Sequence, residues 1–192
     1  LYSYNLWLHY NSENDRYFTT HGASLEAGYS MYTDDFVHYR SSSPVHVVNG
    51  RWRFAVRLTD RLTLQPAVYG RILLGNEMPW CLSNFIGGDY AGHYVEQQLP
   101  FAGIGNIEVA DNAFVATGIK LQQRIMDNNY LIARAAFALN SGKIRNLIDS
   151  QLLHGYQLSW AYNSMFGPVN ANIGYSSKTR RVFFYLNLGY EF

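Results

Sequence analysis

Two side chains in this chain of 192 residues, His154 and Ser159, are of the types that act as base and nucleophile in hydrolases. A histidine activates a serine only within hydrogen-bond reach of its hydroxyl group. Side chains on one face of a β-strand are an even number of residues apart, so a spacing of five places this pair on opposite faces. The sequence contains no Gly-x-Ser-x-Gly nucleophile elbow and no Gly-x-x-x-x-Gly-Lys phosphate loop. No catalytic residue is therefore predicted in this chain.

Residues that bind metals or cofactors are sparse. The six histidines are scattered, without the spacing of a zinc site. Cys81 is the single cysteine, so neither an internal disulfide nor a Cys-x-x-Cys motif can form. No metal site and no cofactor are predicted.

A set of basic residues alternates with apolar side chains, which places all of its members on one face of the predicted strands. These residues are Arg51, Arg53, Arg57, Arg71, Lys120, Arg124 and Arg134. They could form an anion-preferring interior or seat a polypeptide in transit. Alternatively, they pair with inward Asn, Gln, Glu and Tyr in a solvated network that stiffens the wall. The net charge of +1 gives no long-range attraction for nucleic acid, so no nucleic-acid partner is predicted.

The last twelve residues, 181–192, show the clearest strand pattern in the sequence. Apolar side chains occupy every second position, and a tilted strand needs about 9–11 residues to cross a bilayer. This segment therefore predicts a membrane-spanning strand. Its alternation and terminal phenylalanine resemble the sorting signal of bacterial outer-membrane barrels, which the barrel assembly machinery recognises. The residues of this signal are Phe184, Leu186, Leu188, Tyr190 and Phe192.

The composition agrees with a barrel in a membrane. Aromatic residues make up 16% of the chain, more than a typical soluble core contains, whereas a barrel has aromatic girdles at both rims. The mean hydropathy is only −0.18, as expected when half of the wall residues face a wet lumen. No run of 18 apolar residues predicts a spanning helix. A soluble β-sandwich or soluble barrel is the alternative.

Alternation and turn residues predict nine antiparallel strands in one all-β domain that covers residues 1–192, an antiparallel transmembrane β-barrel. Long connections are predicted at 34–44, 75–110 and 141–150. Pro66 falls within the fourth strand, where it predicts a local weak point or a bulge. The predicted strands cover 1–11, 18–33, 47–59, 62–74, 112–126, 130–140, 154–163, 169–176 and 181–192.

The order of the connections predicts how the barrel lies in the membrane. Long connections follow the second, fourth and sixth predicted strands, and barrels place long connections outside the cell. The C-terminus then lies in the periplasm, and the first strand starts at the cell surface. Bacterial barrels have even strand numbers, so we expect further strands upstream of Leu1. A strand missed within this chain would also give an even strand number, and a dimer could complete the wall instead.

Residues 84–101 carry a family resemblance. They contain Phe-Ile-Gly-Gly at 85–88 and Gly-His-Tyr at 92–94, five predicted strands before the terminal phenylalanine. This arrangement resembles the BamA-like superfamily of outer-membrane assembly and translocation proteins. The amino-acid sequence of residues 87–94 and 97–101 is most similar to that of the C-terminal barrels of patatin-like phospholipases in Bacteroidetes. The resemblance implies that this chain supplies strands eight to sixteen of a barrel of roughly sixteen strands.

The resemblance also implies a loop that folds back into the lumen and pairs there with an acidic wall residue. The loop residues that it assigns are Gly87, Gly88, Gly92, His93 and Tyr94. The family has an arginine before the glycine, whereas here His93 follows Gly92 as a possible basic substitute. The stretch 137–142, which matches the family's acidic motif, contains no acid, and Glu26 and Glu191 are other candidate partners. The simpler interpretation is an ordinary turn in a surface loop.

The resemblance implies a function at the bacterial outer membrane. The barrel would anchor, and could also translocate, an upstream passenger that resembles a patatin-like phospholipase. Its partners would be outer-membrane lipids, the barrel assembly machinery, and a passenger domain or a second copy of the chain. Two alternatives stay open: a small barrel enzyme that acts on outer-membrane lipid, and a plain pore or structural barrel.

Overall fold

The computed structural model describes residues 1–40, 42–92 and 95–189. These residues form twelve β-strands, and nine of the strands build one large antiparallel sheet, which confirms the all-β prediction. The strands are β1 (Tyr2–Asn11), β2 (Gly22–Thr33), β3 (Val45–Arg57), β4 (Leu62–Leu74), β5 (Phe85–Ile86), β6 (Gln98–Leu99), β7 (Glu108–Val109), β8 (Ala113–Met126), β9 (Asn129–Ser141), β10 (Leu153–Ser164), β11 (Gly167–Ser176) and β12 (Arg181–Leu188).

The large sheet is a meander in which each strand pairs with the next long strand of the chain. Its order is β1-β2-β3-β4-β8-β9-β10-β11-β12, and all eight pairings are antiparallel. Among the described residues, β1 and β12 each pair with one neighbour and form the two edges of the sheet. The nine strands therefore form a continuous stretch of wall.

The two faces of this wall differ in chemistry. In β10 the buried positions carry glycine, glutamine, serine and alanine, whereas the exposed positions between them carry tyrosine, leucine and tryptophan. A soluble sheet exposes its polar face, so this inversion indicates an outer face built to contact lipid. The exposed apolar face continues across the wall through Leu25, Trp52, Val68, Ile119, Leu131, Leu158, Ile173 and Phe184.

Three of the four connections at one end of the wall are short, and three of the four at the other end are long. Residues 58–61, 127–128 and 165–166 turn the chain at one end, which we call the turn end. Residues 34–44, 75–112, 142–152 and 177–180 connect strands at the other end, the loop end. The connection 12–21 also lies at the turn end, but it is longer than predicted because β2 begins at residue 22 rather than 18. We call residues 12–21 the inner loop and residues 75–112 the lumen loop.

The proline of the fourth strand interrupts the ladder without shifting it. The pairs between β3 and β4 stop at Arg53↔Ala67 and resume, in the same register, at Val56↔Leu64. On its other side, Pro66 pairs regularly with β8. Two residue pairs between β3 and β4 are therefore absent beside the proline, which has no amide to donate, and no bulge forms.

The last strand is shorter than its sequence pattern predicts. It ends at Leu188, and Gly189 follows with a φ of 101°, a conformation that favours glycine. Phe184, Leu186 and Leu188 are exposed on the outer face, as the alternation predicts. Tyr190 and Phe192, the other two residues of the predicted assembly signal, lie outside the described residues, as does Glu191.

In the residues that the structure describes, helical structure is limited to two single turns of 3-10 helix, Trp80–Leu82 and Ile144–Asn146. Neither of these two helices of the described residues is long and apolar enough to cross a membrane. Most buried apolar residues lie where the lumen loop covers the inner face of β4, β8 and β9.

Candidate functional site: two loops on the inner face of the wall

The lumen loop has a small fold of its own. β5 pairs with β6 in parallel and with β7 antiparallel, which makes a three-stranded sheet inside the loop. The amide of Gly87 donates to the carbonyl of Leu99 at 3.0 Å, and the amide of Gly88 donates to that of Ile104 at 2.8 Å. Gly87 has a φ of 133°, and a Cβ there would lie 2.0 Å from the carbonyl oxygen of Asn106. Glycine is therefore required where these segments cross.

The apolar face of the lumen loop packs on small wall residues. Phe101 is fully buried and meets Phe114 of β8 edge to face, with 6.3 Å between the ring centroids. Three neighbouring inward positions, Ala116 of β8 and Ala136 and Ala138 of β9, carry small side chains that leave space for the loop. The residues of this cluster are Tyr69, Ile86, Leu99, Phe101, Ala102, Ile104, Ala110, Phe114, Ala116, Ala136 and Ala138.

Glycines let the backbone of the lumen loop touch the backbone of the wall. A Cβ on Gly155 of β10 would lie 1.9 Å from the carbonyl oxygen of Ala102. A Cβ on Gly103 of the loop would lie 2.0 Å from the carbonyl oxygen of Tyr175 of β11. The Cα of Gly103 in turn lies 3.0 Å from where Gly174 would carry a Cβ. We call Gly103, Gly155 and Gly174 the glycine seat.

A buried asparagine ties both ends of the lumen loop to β4. Arg71 donates through Nη1 to Asn84 Oδ1 at 2.6 Å and to the carbonyl of Leu82 at 2.7 Å. Asn84 Nδ2 donates to the carbonyls of Arg71, at 3.0 Å, and Asp111, at 2.7 Å. Asn84 thereby satisfies backbone carbonyls of the wall and of the end of the loop, while Arg71 satisfies the carbonyl of Leu82 near its beginning.

An ion pair joins the tip of the lumen loop to the middle of the wall. Arg134 of β9 donates through Nη1 to Asp89 Oδ1, and both side chains are at least 85% buried. Gln157 Nε2 of β10 donates to the same carboxylate oxygen at 2.7 Å. In this pair the acid lies on the loop and the base on the wall, whereas the family resemblance implies a pair between a basic loop residue, here His93, and an acidic wall residue; His93 lies outside the described residues. A charge-assisted bond of this kind is stronger than a neutral hydrogen bond.

The inner loop also folds onto the inner face of the wall. Asp15 Oδ1 accepts the amides of Tyr17 and Phe18, at 2.8 and 2.7 Å, and this turn sends the chain inward before β2 begins. Phe18 stacks on Tyr130 of β9 with 4.2 Å between centroids, and it packs with Ile132. Phe18, which falls within the predicted second strand, therefore lies in a loop that is buried on the inner face.

Polar wall residues hold the inner loop in place. Arg53 of β3 grips the Glu13 carboxylate with two hydrogen bonds, from Nε at 2.7 Å and from Nη2. Gln65 of β4 donates to the carbonyl of Thr19 at 2.7 Å. The ammonium of Lys120 of β8 donates to the backbone carbonyl of Tyr17 at 3.2 Å.

The two loops meet inside the wall. The rings of Tyr17 and Tyr90 contact edge to face, with 5.9 Å between their centroids. A cavity of about 110 Å³ lies between the loops, and Arg53, Lys120 and Arg134 line it from the wall. The lumen loop thus covers the inner face from the loop end, and the inner loop covers it from the turn end.

The predicted basic residues divide according to what they contact. Arg51 joins Glu26 of the neighbouring strand at 2.6 Å, and Arg124 donates to the carbonyl of Asp60 in a turn at 3.3 Å. Arg57 Nη2 donates to Thr20 Oγ1 of the inner loop at 3.0 Å. Five of the seven therefore contact one of the two loops: Arg53, Arg57, Arg71, Lys120 and Arg134.

The loop residues that the resemblance assigns are only partly described. Gly87 and Gly88 lie in the small sheet of the loop. Gly92 has a φ of 72°, and its amide donates to the carbonyl of Gln98 at 3.1 Å. His93 and Tyr94 lie outside the described residues. Asp89 was not among the predicted site residues, although it lies between the motif glycines Gly88 and Gly92, and Arg134 was predicted on the inner face without an acidic partner.

In the described residues, His154 and Ser159 are not placed as the base and nucleophile of a hydrolase. Ser159 is buried on the inner face. The ring of His154 contacts Tyr156 and Tyr175, at 5.6 and 6.5 Å between centroids, and both tyrosines are exposed on the outer face. Within residues 1–40, 42–92 and 95–189, no three His, Cys, Asp or Glu residues are grouped so that they could hold a metal ion.

An antiparallel wall with an apolar outer face, and an inner face covered by inserted loops, defines an outer-membrane type of β-barrel. The family model of the OMP85 superfamily matches residues 1–192, and the chain belongs to that superfamily. Its location is therefore the bacterial outer membrane, and the resemblance to the BamA-like superfamily is confirmed. A comparison with curated proteins finds no match.

Proposed function

We propose that this chain is the C-terminal part of an outer-membrane barrel that anchors and translocates an upstream passenger resembling a patatin-like phospholipase. The observation that carries the proposal is a lumen loop held on the wall by the Asp89–Arg134 ion pair. Polar contacts of this kind can be exchanged for contacts with water or with a passing chain. The loop is thus a plug that can be released and reseated.

The open edges of the sheet support a larger barrel. β1 and β12 each pair on one side in the described residues, and all ten residues of β1 are exposed. Further strands would complete the wall, in agreement with a barrel of roughly sixteen strands. The remaining partners are outer-membrane lipids on the apolar face and the assembly machinery at the C-terminal strand; a homo-oligomer is the alternative way to cover the edges.

The arrangement of connections supports an orientation in the membrane. Barrels have short periplasmic turns and longer extracellular loops. The turn end, with the inner loop and the C-terminus, then faces the periplasm, and the loop end faces the cell surface. The lumen loop enters the barrel from outside, and the inner loop enters it from the periplasm.

The two rival functions have less support. An open pore needs a free lumen, whereas the lumen loop packs its apolar cluster onto β4, β8 and β9. A barrel enzyme that acts on lipid needs a nucleophile beside its base, whereas His154 and Ser159 are on opposite faces. An upstream hydrolase domain fits both observations, since the barrel then has no catalytic task.

The test begins with the natural protein purified from outer membranes. We expect an intact mass well above the 22.0 kDa of this chain, esterase activity in the upstream segment, and access of external protease to that segment on whole cells. A mass near 22.0 kDa would refute the anchored passenger. A large mass with the upstream segment protected from external protease would refute translocation and leave a tether.

A further inference from the structure

We infer that the inner loop is a second gate, in series with the lumen loop, and that the Glu13–Arg53 pair is its lock. The inference rests on the proposed function, because a gate matters only if something passes through the barrel. It assigns a role to a connection at the turn end that neither the sequence motifs nor the family match identifies.

The length of the inner loop exceeds what the hairpin needs. The β1–β2 pairs run to Asn11↔Ser24, and the amide of Ser12 donates to the carbonyl of Ala23 at 2.9 Å. A two-residue turn could close the hairpin there, as 127–128 and 165–166 do for their neighbours. The chain instead uses ten residues, 12–21, and buries Phe18 and Thr19 on the inner face.

The contacts that hold the inner loop come from three wall strands at once. The Glu13 side chain is only 4% exposed, and the Arg53 guanidinium grips it with two hydrogen bonds. Gln65 and Lys120 hold the main chain of the loop from β4 and β8. None of these contacts is needed to pair β1 with β2, so their shared effect is to keep the loop inside.

The position of the inner loop makes the two gates sequential. The lumen loop covers the inner face from the loop end as far as Asp89 and Tyr90, and Tyr17 of the inner loop meets it there. The cavity of about 110 Å³ between them is lined by residues of both loops. A solute or chain that moves along this part of the wall must therefore displace both loops.

The experiment measures the open fraction of the full-length natural protein in planar lipid bilayers. The variants are Glu13→Gln, Asp89→Asn and the double variant. Glu26→Gln is the matched control, because Glu26 pairs with Arg51 across two wall strands and holds neither loop. Heat-modifiable migration in detergent checks that each variant has folded. A second variant replaces residues 13–22 by Asn-Gly and keeps all ten β1–β2 pairs.

Loss of one charge-assisted pair is expected to raise the open fraction roughly tenfold, and two independent gates in series multiply to roughly a hundredfold. The Asn-Gly variant should open at least as often as Glu13→Gln, and Glu26→Gln should match the unmodified protein. The inference is overturned if Glu13→Gln and the Asn-Gly variant both conduct like Glu26→Gln, or if the double variant conducts no more than Asp89→Asn. These readings need no passenger, so they are independent of the mass and protease tests above.

Discussion

The glycine seat offers a test of how tightly the lumen loop is fitted to the wall. In the Gly155→Ala variant, the new Cβ would lie 1.9 Å from the carbonyl oxygen of Ala102, whereas ordinary contact begins at 3.4 Å. The loop or the wall must therefore move by about 1.5 Å, the difference of these two distances. Both partners are backbone, which cannot swing aside as the end of a flexible side chain does.

The expected cost of this overpacking is about 1–3 kcal/mol of unfolding free energy, or release of the loop from its seat at a similar cost. Urea unfolding of the folded protein in lipid vesicles measures the first outcome. Limited proteolysis within residues 75–112 measures the second, because a displaced loop exposes its main chain. Gly118→Ala on the inward face of β8 is the control, since its Cβ would lie 3.6 Å from the nearest atom. We expect it to change stability by less than about 0.5 kcal/mol.

One result would refute this reasoning. If Gly155→Ala and Gly118→Ala have the same unfolding free energy and the same protection of the loop, the backbone of the lumen loop does not rest on β10. The glycine seat would then be an incorrect description, and the apolar cluster alone would hold the loop.

Two further perturbations probe the connections. Asn84→Ala, which removes hydrogen bonds at both ends of the lumen loop, should lower the unfolding free energy by about 3 kcal/mol, whereas exposed Asn76→Ala in the same loop should have little effect in the same urea titration. The backbone amides of His38 and Val37 lower the pKa of Asp35 below its ordinary value, so the order that its carboxylate gives to the turn 35–38 is present above the ordinary pKa and is lost as the pH falls through the lowered pKa. Compared at equal pH, so that the pH dependence of pepsin cancels, Asp35→Ala should be cleaved in this turn faster than the unmodified protein at about pH 5, and the difference should shrink as the pH falls through the lowered pKa. Equal cleavage of both proteins at all pH values would contradict this.

The wall could be predicted from the sequence because lipid imposes a strict rule on one face. In β10, every second residue from Tyr156 to Tyr162 is large and apolar, and a strand is the structure that places all of them outside. The boundaries of β4 were predicted to the residue, since the turn at 58–61 and the end of the apolar alternation mark both ends.

The contacts of the two loops could not be predicted in the same way. Phe18 lies in a loop and not in β2, and its contacts depend on the turn at Asp15, which sends residues 12–21 onto the inner face. Asp89 and Arg134 are 45 residues apart, so their pairing depends on how the lumen loop folds in three dimensions. Local sequence patterns contain no information on contacts between residues that are distant in the sequence, although the alternation did predict Arg134 on the inner face.

The most direct test of the plug is a charge exchange across the Asp89–Arg134 pair, measured as ion conductance of the full-length protein in planar bilayers. Asp89→Arg and Arg134→Asp each place two like charges together on the inner face of the wall, and each should raise the conductance. The double variant restores an ion pair with the opposite polarity and should conduct as little as the unmodified protein. If both single variants stay closed, or if the double variant conducts as much as they do, this ion pair does not hold the lumen loop in the barrel.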